Sequence, residues 1–185
     1  MHIVLAVLGL LLLVFGPQWW ARHTFRRYAG ASPSVPGTGA ELARHLLDRF
    51  GMTQVRVEAT EPGGDHYDPE NRVVRLGPDN HDVNSLTAVA VAAHEVGHAI
   101  QHQRNDRMLA LRHRLVRVAQ RFQQLGAGAM LLMPVAMAIT RAPGAGLLMA
   151  AIGLGSMASG TLVHLVTLPV ELDASYRKAL PILRQ

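Results

Sequence analysis

The chain contains no cysteine. Disulfides and thiolate metal sites are therefore excluded, and any bound metal must be held by nitrogen and oxygen. Charge and aromatics are also sparse, at 17% and 5% of the chain. Nearly all the basic residues are arginine, which by itself identifies no partner. Hydrophobic residues make up 49%, yet the formal net charge is +5. That pairing is unusual for a soluble enzyme and points to a membrane. At 185 residues, one domain is the starting expectation.

Three apolar segments carry the membrane reading. The first is Ile3 to Phe15, closed by Gly16-Pro17 and followed by Trp19-Trp20 and by Arg22, Arg26 and Arg27. Tryptophan favours the lipid–water interface. Residues 1–20 are long enough for a span of about 20 residues. No positive region precedes this stretch and no small-residue cleavage site follows it, so a retained anchor is expected rather than a signal peptide. The second segment, Phe122 to Thr140, is uncharged. The third, Ala142 to Val170, has only His164 as an ionisable group. In it Gly153, Gly155, Ser156, Ser159 and Gly160 put small residues at helical spacing, which lets membrane helices approach closely. Pro134 predicts a kink and Pro143 a tight turn.

Arginine is distributed unevenly about these segments. Arg22, Arg26 and Arg27 follow the first; Arg104, Arg107, Arg112, Arg114, Arg117 and Arg121 precede the second; Arg177, Lys178 and Arg184 follow the third. Only Arg141 lies in the opposite loop. The positive-inside rule then places residues 20–122, and everything after Val170, in the cytoplasm of a multi-pass inner-membrane protein. Juxtamembrane anchoring accounts for the arginines more simply than nucleic acid does, so a lipid bilayer is the expected partner and nucleic acid is not.

One motif carries chemistry: His94-Glu95-Val96-Gly97-His98. On an α-helix, residues four apart share a face, so both imidazoles can grip one ion from the same side. Zn2+ accepts neutral imidazole nitrogen, and a catalytic zinc keeps a position open for water. Glu95, beside the first histidine, is placed to take that water's proton. Asn84 or Ser85 can cap the helix start. The apolar run Leu86 to Ala93 predicts burial on most sides. Gly97 costs about 1 kcal/mol relative to alanine inside a helix, which suggests close approach of a backbone or a substrate.

Two histidines do not complete a site. The metzincin pattern requires glycine and histidine three and six positions after the second ligand. Gln101 and Arg104 stand there, which excludes that class. His102 is too far along the helix to share an ion with His94. A downstream carboxylate, as in His2Glu sites, is the better candidate. No glutamate other than Glu171 follows the motif. Because the charge bias puts Glu171 on the same membrane side as His94 and His98, it is the expected third ligand.

Between anchor and motif lies a small polar part. Ala29 to Gly37 reads as a linker. Thr38-Gly39-Ala40-Glu41 is a capping box opening a helix over residues 40–50, with Leu42, Leu46 and Leu47 at helical spacing and Gly51 ending it. Residues 55–58 and 72–76 alternate as two strands of a small β-hairpin, joined through a loop over residues 61–69. The second strand is the candidate edge to which a peptide substrate could add. The expected fold is mainly α with this hairpin (α+β), zincin-like, with transmembrane helices. The expected parts are an anchor (1–20), a catalytic part (28–121), a transmembrane hairpin (122–170) and a third-ligand segment (171–185).

Three stretches taken together resemble the bacterial membrane-bound neutral zinc metallopeptidases, the type 2 membrane zinc peptidase family. They are Ala90 to Gln101 (AVAAHEVGHAIQ), His66-Tyr67-Asp68-Pro69, and Leu168 to Ser175 (LPVELDAS). The resemblance spans nearly the whole chain. It implies a gluzincin-like zinc peptidase with an N-terminal anchor, with His94, His98 and Glu171 as ligands and Glu95 as the base, and a further apolar helix beyond Gln185. Asp173 is expected to orient a ligating histidine. His66, Tyr67, Tyr176 and Arg177 are candidate donors to the tetrahedral intermediate. The expected function is a membrane-anchored zinc endopeptidase acting on peptides or membrane-associated proteins. The rivals are an intramembrane zinc protease and a non-catalytic zinc-binding scaffold.

Overall fold

The structure is a computed structural model describing residues 2–184; of residues 2–11, 13–15 and 143 only the backbone is described. In chain order its elements are α1 (His2–Arg27), α2 (Gly39–Arg49), β1 (Arg56–Ala59), β2 (His66–Asp68), β3 (Val73–Leu76), α3 (Pro78–His81), α4 (Leu86–Gln103), α5 (Arg107–Thr140), α6 (Pro143–Leu172), a π-helical stretch (Asp173–Ala179) and α7 (Leu180–Leu183). The chain is thus mainly helical with one small sheet. It divides into two compact units, Met1–Ile100 with Lys178–Gln185, and Gln101–Arg177.

In the first unit, α2 begins at the expected capping box. Thr38 Oγ1 accepts from the Glu41 amide at 3.3 Å, and Glu41 Oε2 accepts from the Thr38 amide at 2.9 Å. Two orphan donors of the first turn are thereby satisfied. Gly51, with φ +70°, supplies the left-handed residue that ends the helix. Gly39 is required for a different reason: a Cβ there would lie 2.0 Å from the carbonyl oxygen of Asn80. The buried stripe Ala43, Leu46 and Leu47 packs with Met52, Val55, Val74, Leu76, Ala92, Ala93, Val96 and Ile100 in one apolar core. Each fully buried leucine contributes roughly 1.5–3 kcal/mol by leaving water.

The sheet differs from the expected hairpin. It has three strands in the order β1-β3-β2, with β1 parallel and β2 antiparallel to β3. The true hairpin is β2–β3. It closes through Asp68, whose Oδ1 accepts from the Glu70 and Asn71 amides at 3.0 and 3.1 Å. That side chain replaces the backbone bonds a turn would otherwise lack. β3 is therefore central, and the expectation that it offers a free edge to substrate is corrected: the edges are β1 and β2. Alternation gives the sheet two faces. Tyr67, Val74 and Leu76 face the core, while His66, Asp68, Arg75 and Glu58 face outward.

Ser85, not Asn84, makes the capping bond at the start of α4, its Oγ accepting from the Ala88 amide at 3.0 Å. The start of α4 is also tied to the end of α1. Thr87 Oγ1 donates to the Phe25 carbonyl at 2.8 Å, and the Thr87 amide to that of Tyr28 at 3.2 Å. Residues 2–20 of the expected anchor lie within helix α1, although most of their apolar side chains lie outside the described residues.

In the second unit, α5 and α6 form an antiparallel hairpin closed by Arg141, which takes a left-handed conformation at φ 48°, and Ala142. Small residues set the spacing between the helices. Gly126 lies against Ser156, Gly153 against Met130, and Gly160 against Gln123. A Cβ on Gly126 would come within 1.8 Å of Ser156 Oγ. Gly155, also expected at this seam, has open space around it. Pro134 is accommodated within α5 without ending it. Among the described residues, two helical runs, Arg107–Thr140 and Gly144–Leu183, are long and apolar enough to cross a membrane. Their apolar side chains are exposed, Leu131 by 79%, Ile139 by 77% and Leu147 by 76%, which is not how the core helices of a soluble domain present themselves.

Candidate metal centre

Helix α4 forms because small apolar residues fill its first two turns, and it is held because that surface is core: Ala88, Ala92, Ala93, Val96 and Ala99 are buried. His94 and His98 follow on a common face. Their Nε2 atoms approach to 3.1 Å, with the rings near perpendicular at 81°. At a zinc–nitrogen length of about 2.05 Å, an ion equidistant from both would see them about 98° apart, near the tetrahedral angle. His98 and Glu95 are buried, at 3% and 7% exposure. A buried glutamate beside two convergent imidazoles is a costly arrangement that packing does not require. Gly97, between the two histidines, is buried as well.

Glu171, the expected third ligand, lies near this pair. One ring nitrogen from each of His94 and His98 and one carboxylate oxygen of Glu171 lie within 4.8 Å of one another, so the three could hold a metal ion. The donor set of two neutral imidazoles and one carboxylate suits zinc.

Glu171 stands at the end of α6, just before the helix widens to π geometry at Asp173. Such widening is frequent at functional sites. Two residues that the sequence reading assigned no site role organise this end. Arg112, from α5, donates through Nε to Glu171 Oε1. Gln101, 1% exposed, donates from its amide nitrogen to the Val170 carbonyl at 3.1 Å and to Asp173 Oδ2 at 2.8 Å. Asp173, expected to orient a histidine, thus receives the Gln101 amide. Gln101 did carry a signal: it follows His94 by seven residues and His98 by three, on the same helical face.

The four candidate donors are dispersed. His66 is exposed on the outward sheet face, its Nδ1 2.6 Å from the Gly64 carbonyl and its Nε2 3.3 Å from an Arg75 guanidinium nitrogen. Tyr67 points the other way, into the core. Burial pushes its hydroxyl up to about 12; Arg72 opposes the shift and Asp68 adds to it. Tyr176 and Arg177 are exposed on the π-helical stretch. Near His66, burial raises the Asp68 carboxyl, but hydrogen bonds from Asn71, Arg75 and the Glu70 amide outweigh it and hold the group well below the usual carboxylate range.

The chain belongs to the family described as "Putative neutral zinc metallopeptidase", whose model matches residues 3–185. It is 36% identical over 176 residues to "Putative membrane protease YugP" of Bacillus subtilis (strain 168), an alignment covering 95% of this chain and 73% of that protein. No solved structure matches it. The family implies Zn2+ as the cofactor, in agreement with the donor set of His94, His98 and Glu171.

Proposed function

We propose that the protein is a membrane-anchored zinc endopeptidase with a zincin-like active site. His94, His98 and Glu171 hold the metal, and Glu95 is the general base. The observation that carries this is the 3.1 Å convergence of the two Nε2 atoms beside a glutamate of 7% exposure. Bound zinc would supply Lewis acidity, making a coordinated water a usable nucleophile near neutral pH. Glu95 would take a proton from the attacking water and return it to the departing amine. His94 and His98 would offer imidazole nitrogens to the metal, His98 from a buried position and His94 from a half-buried one.

The membrane parts of this reading are an anchor at 1–20 and a hairpin at 122–170, flanking a catalytic part at 28–121 and a ligand segment at 171–185. The arginine bias supports a cytoplasmic active site. Exposed apolar side chains along α5 and α6 support insertion. An intramembrane protease is disfavoured because α4 carries His94, Glu95 and His98 and packs into a protein core. A metal-binding scaffold is disfavoured because a structural site needs no buried carboxylate beside its ligands.

The test is proteolysis of an unstructured reporter protein by purified chain in detergent. Cleavage is expected to disappear on chelation and to return with zinc. Cleavage indifferent to chelation, or none by zinc-loaded protein across a broad peptide library, would contradict the proposal.

A further inference from the structure

Sequence places two carboxylates, Glu171 and Asp173, at the C-terminal end of the 30-residue helix α6. The helix does not stop there: it runs on through the π-helical stretch to Leu183, so both acids lie at the junction where it widens. Such widening inside a helix is frequent at functional sites. Two side chains engage this junction. Arg112 donates to Glu171 Oε1, and Gln101 spends amide donors on the residues flanking Glu171, the Val170 carbonyl at 3.1 Å and Asp173 Oδ2 at 2.8 Å.

We propose that Gln101 and Arg112 are positioning residues, a two-point clamp that presents the Glu171 carboxylate to the metal. This rests on the reading of Glu171 as third ligand. Gln101 fixes the backbone at the point where α-helix gives way to π-helix. Arg112 fixes the carboxylate itself through one oxygen; a carboxylate has two, so it can meet guanidinium and ion together. Arginine suits this task better than lysine because its planar guanidinium is always charged and holds its donors in fixed directions. Gln101 is almost fully buried, where a leucine would pack without needing partners, so its retention is explained by the bonds it makes. It also shares the α4 face of His94 and His98, so one helix face supplies two ligands and half of the clamp.

The readout is zinc affinity of the purified full chain, measured by competition with a chromophoric chelator. Arg112→Gln and Gln101→Leu should each weaken binding by about 10–100-fold, the usual consequence of losing a group that orients a ligand. Arg112→Lys should recover part of the loss. Melting of the chelator-stripped variants should match the parent. If Gln101→Leu fails to fold, the partly exposed Arg112 carries the test alone. The decisive comparison is the double variant. In a Glu171→Ala background, Arg112→Gln should change zinc affinity by less than about two-fold, because positioning residues act through the ligand they hold. Wild-type affinity in both single variants, or an undiminished Arg112→Gln effect without Glu171, overturns the clamp. Failure of the ligand reading is distinct: Glu171→Ala alone would then bind zinc normally.

Discussion

Replacing Glu95 with glutamine separates metal binding from catalysis. The amide keeps the shape and volume of the carboxylate but cannot accept a proton. A positioned general base contributes about 10²–10⁴-fold, equivalent to roughly 3–5.5 kcal/mol of barrier. The proposed zinc ligands His94, His98 and Glu171 are untouched, so metal content should stay at the wild-type level. Glu95 is 7% exposed, and a buried amide N–H left without a partner would cost about 1–3 kcal/mol. That is tolerable against the roughly 5–15 kcal/mol stability of a typical domain, so the variant should fold. The assay pairs zinc analysis with peptide turnover on the same preparation. A His94→Ala protein purified identically reports contaminating protease. Wild-type turnover by Glu95→Gln above that background would refute the assignment of the base.

Topology can be read with single cysteines, since the native chain has none. A cysteine at Ser34 should resist a membrane-impermeant thiol reagent in intact cells and one at Ala142 should react; the reverse pattern would place the catalytic part outside. The sheet should sense acid through Asp68. Its carboxyl is held below the ordinary 3.8, so the unfolded chain takes up the proton first, and the stabilisation present above that value is lost as pH falls below it. Urea midpoints measured from about pH 5 down to about pH 2 should therefore fall less steeply for Asp68→Asn than for wild type; parallel curves would show that the hydrogen bonds from Asn71 and Arg75 contribute nothing.

What the sequence revealed depended on how local the signal was. The capping box at Thr38 and Glu41, the helix under His94 and His98, and the long uncharged runs of α5 and α6 are patterns of period 3.6 or of simple composition, visible without a partner. Elimination then reached Glu171, 73 positions beyond His98, because no other glutamate follows the motif. The sheet was misread because β2 is three residues long and ends beside Pro69, too short for alternation to register. Its pairing with β3 depends on Asp68 capping the turn, a contact that only the folded chain displays. Gln101 and Arg112 escaped notice for the same reason: their roles lie in bonds to Val170, Glu171 and Asp173, some 60–70 residues away. Tyr67 and His66, adjacent in sequence, go to opposite faces of one strand, which alternation could have told.

The most direct measurement is X-ray absorption at the zinc edge of purified protein, read alongside metal content of ligand variants. About one zinc per chain is expected, bound by nitrogen and oxygen at about 2.0–2.2 Å with no sulfur. His94→Ala, His98→Ala and Glu171→Ala should each lower occupancy. Full zinc affinity in Glu171→Ala, with loss instead in Asp173→Ala or His164→Ala, would contradict the site.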